Sequence, residues 1–289
     1  MNILAKIASL VTPKNQSTWY SNDLSKHKVA NYALAIEMGE YNVTACIINP
    51  SQNTVMGVKS LVCTTINELE NFLEKEEFFN WRGYKKVILQ ATSPKFLIVP
   101  ENFYREKANT QHFELHFKVA PNTKLHTDKM RLSQSQNIFS VNNEVVTLLQ
   151  KNFGKIETQH HLSSLIEQLA FTYQTSKTKQ CYINVRQNWV DILVLEGSKL
   201  HYANQFEAHT PEDVLYYVLQ VAQVLELNQE LTPISFLGAI TQTDALCGLL
   251  LNYFKKVGFV NRNNILNYTK ELSAVEKHEF YTLFAALCV

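Results

Sequence analysis

The feature that most constrains the fold is a repeated order of predicted elements in the two halves of the chain. The segment "YALAIEM" (residues 32–38) predicts a buried strand, and "YNVTACII" and "TVMGVKSLV" predict two more, with the turn-forming "NPSQN" between them. A helix and the strand "KVILQA" follow. From residue 180 the same order returns as "CYINV", "WVDILVLEG", "KLHYANQF", a helix and "PISFLGAI". Five matching elements predict two tandem copies of one structural unit.

The two copies align at a nearly constant offset. The aligned pairs of the first hairpin are Ile36 with Ile183, Val43 with Val190 and Ile47 with Val194. The later strands are predicted to match at the same offset of 147 positions, and the helix N-caps at 145. A shared spacing over so many elements indicates duplication.

The helix that follows the third strand begins in the same way in both copies. Thr65 with Glu68 three residues later predicts a capping box, in which each side chain bonds the backbone N–H of the other residue. In the second copy Thr210 is the predicted N-cap, Pro211 is the first helical residue and Asp213 stands at the box position. Both copies therefore predict a helix directly after their third strand.

This arrangement resembles the duplicated ribonuclease-H-like architecture of the actin, Hsp70 and sugar-kinase superfamily. The segments "HTPEDVLYYVLQVAQVLELN" and "SFLGAI" also resemble an uncharacterised family from Bacteroidota. The resemblance implies an α/β protein with the actin-like ATPase fold: two ribonuclease-H-like lobes with mixed five-stranded sheets, and an inserted subdomain. In that superfamily, nucleotide lies between the two halves.

The domain organisation follows from the repeat. Residues 28–176 are the predicted first lobe, with an inserted subdomain at about 92–160, and residues 177–289 are the second lobe. Residues 1–27 are predicted to form a packing arm, because Lys6 interrupts the apolar stretch that a secretory signal would need.

The insert and its C-terminal flank have their own predicted elements. They are the strand "KFLIVP", a helix around "YREKANTQHFELHF", an extended piece "KMRLSQSQNIFSV", and helices near 142–153 and 161–174. In the cell-division and pilus-assembly branches of the superfamily, an inserted subdomain often contacts partner proteins. The resemblance therefore implies a protein partner, which the sequence does not identify.

The first hairpin is a partial match to the nucleotide site of the superfamily. In working members of the superfamily this hairpin has an aspartate and a glycine around the phosphates and magnesium, and the matching residues here are Glu37 and Gly39. The alternative is that both residues belong to an ordinary turn, since "MGEYN" has common turn chemistry.

The second hairpin lacks the matching groups. The superfamily has an aspartate, a glycine and small residues there, whereas this chain has Asn184 followed by Val185, Arg186 and Gln187. An amide such as Asn184 supplies no negative charge to Mg²⁺, and Arg186 adds bulk where backbone would approach phosphate. Hydrolysis would then be slow even with nucleotide bound.

The turn after the last strand of the second copy is also only a partial match. The superfamily has two glycines there for contact with adenosine, and here Gly238 is followed by Ala239. The alternative is a structural role, in which Gly238 permits a turn before a helix capped by Thr243 or Asp244.

Two functions remain open from these residues. The first is a non-catalytic binding or scaffolding module with a degenerate nucleotide site. The second is an ATP-binding protein, a slow ATPase or small-molecule kinase using ATP with Mg²⁺, in which Asp191 or Glu207 replaces the missing acid. No catalytic residue is assigned, and Glu37, Gly39, Asn184 and Gly238 are the candidate cofactor-binding residues.

Charge and hydropathy exclude other classes. Lys and Arg number 27 against 26 Asp and Glu, with no long run of either sign, which is not the pattern of a nucleic-acid-binding protein. No segment has the roughly 20 apolar residues that cross a bilayer. The five cysteines lack CxxC spacing and are odd in number, which predicts reduced thiols and a cytoplasmic location.

Two histidine pairs are weak metal candidates. His112 and His116 would share a face of one helix, but a glutamate does not directly follow His112 as the HExxH motif requires. His160 and His161 are adjacent, diverge on a helix and are predicted to cap or pack. No metal site is therefore assigned.

Overall fold

The computed structural model describes residues 17–40, 42–262 and 264–288, so most of the predicted arm at residues 1–27 lies outside the described residues. The described chain divides into two compact units. The first unit holds residues 17–169, 264–276 and 282–288, and the second holds Ala170–Arg262 and Lys277–Tyr281. Within the described residues, every helix is too short or too polar to cross a bilayer.

The elements up to residue 172 start with the first sheet and continue through the insert. The strands are β1 (Ser17–Tyr20), β2 (Ala33–Met38), β3 (Asn42–Asn49), β4 (Thr54–Val62), β5 (Lys86–Ala91), β6 (Phe96–Pro100), β7 (Thr123–Met130), β8 (Ser135–Asn142) and β9 (Glu157–His160). The α-helices are α1 (Ile66–Lys75), α2 (Asn109–Glu114), α3 (Asn143–Phe153) and α4 (His161–Thr172).

The elements after residue 172 start with the second copy of the hairpin. The strands are β10 (Lys179–Val185), β11 (Trp189–Glu196), β12 (Lys199–Glu207), β13 (Ile234–Gly238), β14 (Val257–Phe259) and β15 (Asn267–Tyr268). The α-helices are α5 (Pro211–Val224), α6 (Ala245–Leu251) and α7 (Tyr281–Ala285).

Each unit is built on a mixed sheet with the same strand order. The second unit has five strands in the order β12-β11-β10-β13-β14, with β10, β13 and β14 parallel. The first unit has the equivalent order β4-β3-β2-β5-β9. Its sheet reaches seven strands because β1 and β15 both pair with β4. We predicted five strands for each sheet. Strands β1 and β15 were not predicted, because no local sequence pattern indicates them.

The sheet registers of the two copies coincide at the predicted offset. Met38 pairs with Val43 at the end of the first hairpin, and Val185 pairs with Val190 at the end of the second. On the other side, Met38 lies beside Ala91 and Val185 beside Gly238. An identical register in two hairpins and two parallel pairs is strong structural evidence for duplication, because a slip of one residue would move every side chain to the opposite face.

The third strand of each copy carries a matching irregularity. The pairing of β3 with β4 shifts at Ile47/Ile48, and the pairing of β11 with β12 shifts at Val194/Leu195, again 147 residues later. On both sides of the bulge the third strands differ by 145 positions: Thr54 of β4 corresponds to Lys199 of β12, and Val62 corresponds to Glu207. The third strands therefore align at 145, the offset of the helix caps, and the prediction of 147 for this strand was wrong by two residues.

Both predicted capping boxes are present. The Thr65 hydroxyl accepts the N–H of Glu68, whose carboxylate accepts the N–H of Thr65. Thr210 and Asp213 form the same reciprocal pair at α5. Each box satisfies N–H groups that a helix N-terminus otherwise leaves unbonded.

Apolar side chains from one face of the second sheet pack against α5 and α6. The sheet contributes Ile183, Val190, Ile192 and Phe236, among others, and the helices contribute Val214, Val218, Leu246 and Leu250. Because side chains alternate between faces, Asn184 and Asp191 lie on the opposite face of this sheet.

The insert forms a three-stranded sheet in the order β6-β8-β7. Val99, Phe113 and Ile138 form its small core. The predicted extended piece at residues 129–141 is wrong, because β7 ends at Met130 and a turn separates it from β8. The predicted helix at 104–117 is also shorter than expected, since α2 ends at Glu114.

A buried carboxylate fixes the turn between β7 and β8. Glu167 of α4 accepts the backbone N–H groups of Arg131, Leu132 and Ser133 at 2.9–3.2 Å. These three N–H groups lie in the turn, where no neighbouring strand accepts their hydrogen bonds. A carboxylate can accept several of them in charge-assisted hydrogen bonds. Glu167 therefore attaches the hairpin of the insert to α4.

Replacing Glu167 is expected to destabilise the protein. Glu167→Ala leaves three N–H groups without this acceptor and should lower the free energy of unfolding by roughly 2–4 kcal/mol. Glu167→Gln keeps one oxygen acceptor and should cost less. Urea denaturation followed by circular dichroism measures both, with Glu74→Gln on the exposed face of α1 as control. A Glu167→Ala protein as stable as this control would contradict the assigned role.

Candidate functional site

The turns of the two candidate hairpins have the same backbone geometry. The N–H of Gly39 donates to the carbonyl of Asn42, and the N–H of Arg186 donates to the carbonyl of Trp189, both at 2.9 Å. Arg186 therefore occupies the position of Gly39 in the second copy, as the alignment predicts. The turns differ in their side chains: Gly39 lies under the Asn42 side chain, and Arg186 turns back onto its own hairpin.

In the first unit, Glu37 belongs to a polar row that crosses the sheet. Its neighbours in register are Thr44 on β3 and Gln90 on β5, and Thr44 in turn lies beside Ser60 on β4, with the two hydroxyls 3.0 Å apart. Glu37 is half-buried, whereas Thr44 and Gln90 are buried. The amide Nε2 of Gln90 donates to the carbonyl of Thr282. The side chain of Glu37 therefore lies among polar groups.

In the second unit, the matching row has become an ionic network. Asn184 replaces Glu37, and Asp191 replaces Thr44 on the neighbouring strand. Asn184 Nδ2 donates to Asp191 Oδ2 at 2.7 Å. Arg186 donates to both oxygens of the same carboxylate, at 3.1 and 3.2 Å. Asp191 is 0% exposed, so its charge depends on these partners.

The acid of the second hairpin is therefore Asp191 on β11, and not the residue at position 184 on β10, where the resemblance implies it. Asp191 was one of the two substitutes expected from the sequence, but its place beside Asn184 was not predicted. The alignment of the two copies could have indicated this neighbour. The offset of 147 aligns Asp191 with Thr44, and the register of the first hairpin places Thr44 opposite Glu37. Gln205 of β12 continues the row beyond Asp191 and is also buried.

The other candidate acid, Glu207, lies in a different environment. It ends β12, its side chain is 61% exposed, and its Oε1 lies 3.1 Å from His209 Nε2. It is a surface residue at the far edge of the sheet, two strands from Asn184.

The backbone around Gly238 explains why glycine occupies this position. Its φ of +83° lies in the left-handed region, and an added Cβ would be 2.2 Å from the carbonyl oxygen of Val185. The N–H of the next residue, Ala239, donates to that same carbonyl at 2.8 Å. A side chain at Gly238 would therefore force β10 and β13 apart.

A later segment of the chain covers this turn within the same unit. The carbonyl of His278 accepts the N–H of Gly238 at 3.1 Å, and His278 Nε2 bonds the carbonyl of Ile240. The His278 ring also packs on Phe259 at 4.4 Å between centroids. His278 is buried, so these contacts are part of the core. Asp244, one of the two predicted caps, stands at the N-cap position of α6, but its carboxylate accepts the N–H of Thr241 and makes no capping hydrogen bond to the helix.

The two histidine pairs have different roles. His160 Nδ1 accepts the N–H of Leu162 at the start of α4, and its ring packs on Phe96 and Phe139, so it both caps and packs as predicted. His116 lies beyond the end of α2, so the predicted shared helical face with His112 was wrong. Among the described residues, no three His, Cys, Asp or Glu side chains converge as a metal site.

One half-buried carboxyl in the insert has a strongly shifted pKa. Asp128 of β7 accepts the N–H of His160 at 2.7 Å and a hydrogen bond from Ser163. Burial raises the pKa of its carboxyl from 3.8 to about 6, and the two hydrogen bonds oppose this shift. Asp128 therefore makes the stability of the first unit depend on pH.

The Arg186–Asp191 pair generates a stability prediction. Arg186→Ala leaves a buried carboxylate without its cation and should lower the free energy of unfolding by roughly 2–4 kcal/mol. Asp191→Asn removes the charge, so the double variant should be more stable than the sum of the two single effects predicts. Lys86→Ala, which breaks the exposed Lys86–Glu157 pair, is the control and should cost less than about 1 kcal/mol. Strict additivity in urea denaturation would contradict the coupling.

Asp128 generates a pH prediction. Between about pH 4 and pH 6 the folded state holds a proton that the unfolded state releases, so the contribution of Asp128 to stability falls as pH rises. Asp128→Asn keeps an oxygen acceptor but carries no charge. It should be more stable than the wild type above pH 6, by up to about 3 kcal/mol, and the difference should shrink toward pH 4. Urea titrations at several pH values measure it, and a difference independent of pH would contradict the assignment.

Comparison with known proteins places the chain in a family. Residues 21–257 match the profile of a family described as "Protein of unknown function (DUF3822)". A search of curated protein sequences finds no significant match.

Solved structures show the same fold. A Bacteroides thetaiotaomicron protein with actin-like ATPase fold and unknown function is similar with a TM-score of 0.79 at 22% identity, covering 92% of this chain and 99% of that one. PilM, from the PilM-PilN type IV pilus biogenesis complex, is similar with a TM-score of 0.60 at 10% identity, covering 89% and 97%. The chain belongs to the DUF3822 family, a family of unknown function, and has the actin-like ATPase fold.

Proposed function

We propose that this chain is a non-catalytic binding or scaffolding module that uses an actin-like ATPase fold with a degenerate nucleotide site. The observation that carries the proposal is the network of the second hairpin, in which Asn184 and Arg186 both bond the buried Asp191. The three groups satisfy one another in a position where the superfamily resemblance implies an acid for magnesium.

The chemistry of the network disfavours turnover. Mg²⁺ needs hard oxygen ligands with negative charge, usually alongside its own waters. Both oxygens of Asp191 already accept hydrogen bonds from Arg186, whose guanidinium also places a positive charge at this position. Phosphoryl transfer depends on positioning and charge compensation, and this hairpin offers neither in the required form.

The turn at Gly238 supports the same proposal. The superfamily resemblance implies contact with adenosine there, but the backbone of Gly238 bonds His278, and its missing side chain makes room for Val185. Packing alone is therefore sufficient reason for the glycine. We therefore interpret four residues as occupying the positions of a former nucleotide site: Glu37, Gly39, Asn184 and Gly238.

The alternative is an ATP-binding protein with slow ATPase or small-molecule kinase activity. It requires Asp191 or Glu207 to replace the missing acid. Asp191 is paired with Arg186, and Glu207 is exposed at the end of β12, outside the polar row. Glu37 remains a half-buried acid on the first hairpin, which is the residue that this alternative would use.

A protein partner is part of the proposal, and the insert is the surface that we assign to it. Two large apolar side chains of the insert are strongly exposed, Phe103 at 73% and Leu115 at 80%. Exposed apolar groups on a small subdomain are suitable for protein contact. PilM, which has the same fold, occurs in a complex with PilN. The proposal includes a cytoplasmic location, which the scattered cysteines support.

Nucleotide binding and turnover are the decisive test. Thermal unfolding is measured with increasing ATP and MgCl₂, because a ligand specific for the folded state raises the melting temperature. We expect less than about 1 °C of change up to millimolar ATP, and no phosphate release above the rate without protein. Glu37→Ala serves as the matched variant and should behave as the wild type does.

The opposite result would identify an enzyme. A melting temperature that rises with ATP concentration, together with phosphate release that Glu37→Ala abolishes, would overturn the scaffold proposal. A rise without phosphate release would establish a nucleotide-binding module instead.

A further inference from the structure

A short segment near the C-terminus enters the second unit through one aromatic ring. The segment Lys277–Tyr281 belongs to the second unit, although the residues on both sides of it belong to the first. We call these five residues the C-terminal strap, and most of them form a turn. The buried ring of His278 packs on Phe259 at 4.4 Å between centroids. His278 Nε2 donates to the carbonyl of Ile240, because a carbonyl can only accept.

The same hydrogen bond occurs at the equivalent place in the first repeat. Ser93 precedes Ile240 by the repeat offset of 147, and its carbonyl bonds His160 Nε2 at 2.9 Å. The His160 ring also packs on aromatic side chains. By strand register, however, the second-copy position that corresponds to His160 is Asn261, which is exposed beyond the end of β14. The strap therefore supplies the histidine that the first repeat takes from β9.

The site that receives the ring offers three contacts that a flat nitrogen heterocycle can use. The carbonyl of Ile240 is an acceptor, the N–H of Gly238 is a donor and Phe259 supplies an aromatic surface. The strap uses the ring of His278 for two of these contacts and its backbone carbonyl, at 3.1 Å from the Gly238 nitrogen, for the third. Adenine has a matching set, because it carries an N–H donor beside a ring-nitrogen acceptor and stacks on aromatic rings.

The strap is held in place against a backbone cost. Phe280 has a φ of +56°, in the left-handed region that bulky residues rarely adopt. A strained conformation of this kind persists only where the surrounding contacts maintain it. Release of the strap would relieve the strain, so its contacts hold it less firmly than their number alone implies.

We propose that the C-terminal strap is an autoinhibitory element, which keeps a heterocycle-binding site of the second unit occupied by His278 and closed to purine nucleosides. The strap opens by local unfolding, while the sheet of the unit stays folded. This inference rests on the proposed function, because it names the group that excludes nucleotide. A wild type that binds ATP would contradict both, whereas a strap variant that binds no adenosine would contradict this inference alone.

Binding to a strap variant tests the site. His278→Ala removes the ring and keeps the backbone of the strap. We expect about 5 mM adenosine, and separately about 50 mM imidazole, to raise the melting temperature of this variant by about 2 °C or more, and that of the wild type by less than about 1 °C. Phe254→Ala, which removes a buried ring from the apolar core of the same unit, is the control and should respond to neither.

Two outcomes of this experiment would overturn the proposal. A rise with imidazole but not with adenosine would show a folded variant whose site takes only a ring the size of the side chain. The absence of a rise with either ligand would show that His278 fills no binding site.

Hydrogen exchange of the wild type tests the strap without a substitution. The N–H of Gly238 bonds the strap, so its exchange reports strap opening. By NMR, Gly238 should exchange at least about tenfold faster than the protected amides of β11, and low concentrations of urea should accelerate only the β11 amides. If Gly238 exchanged at the rate of β11 and with the same urea dependence, the strap would leave only on unfolding and the proposal would be wrong.

Discussion

Strand register is the constraint on which the rest of this structure depends. The pair Met38 with Val43, and its copy Val185 with Val190, set two hairpins in the same alignment. Every neighbour follows from that alignment, because side chains of paired strands stand side by side on one face. It sets Thr44 beside Glu37 in one unit. In the other it brings a buried carboxylate beside Asn184, within reach of an arginine.

Much of the fold could be predicted because its determinants are local. Apolar segments bounded by turn residues indicated the strands of the repeat, and Thr65 and Thr210 indicated the helix starts. The predicted actin-like ATPase fold is confirmed. Strands β1 and β15 were missed because they form only by pairing with a distant edge, about 40 or more residues away in sequence. The two-residue difference in the third strand was missed because the loop before it is shorter in the second copy.

The candidate site was less predictable than the fold. The loss of the acid at Asn184 is visible in sequence, but its consequence depends on the side chain of Arg186, which could have pointed to solvent. The role of Gly238 depends on its backbone φ and on the short distance to the carbonyl oxygen of Val185, and neither can be read from the sequence. His278, whose carbonyl accepts the N–H of Gly238, is 40 residues away in sequence, and no sequence motif predicts this contact. The geometry of the site arises from tertiary contacts that sequence spacing does not encode.

The pairing of β15 with β4 has a consequence for biosynthesis. Asn267 and Thr54 are more than 200 residues apart, and the carbonyl of Thr282 receives the amide of Gln90 from a similar separation. A ribosome releases the chain from its N-terminal end, so the strands of the first unit emerge long before the residues that complete it. The sheet of the second repeat can therefore form before β15 and Thr282, which contact the first sheet, have been translated. The first repeat is translated first, but its sheet gains its last strand, β15, only after β14 has completed the sheet of the second repeat.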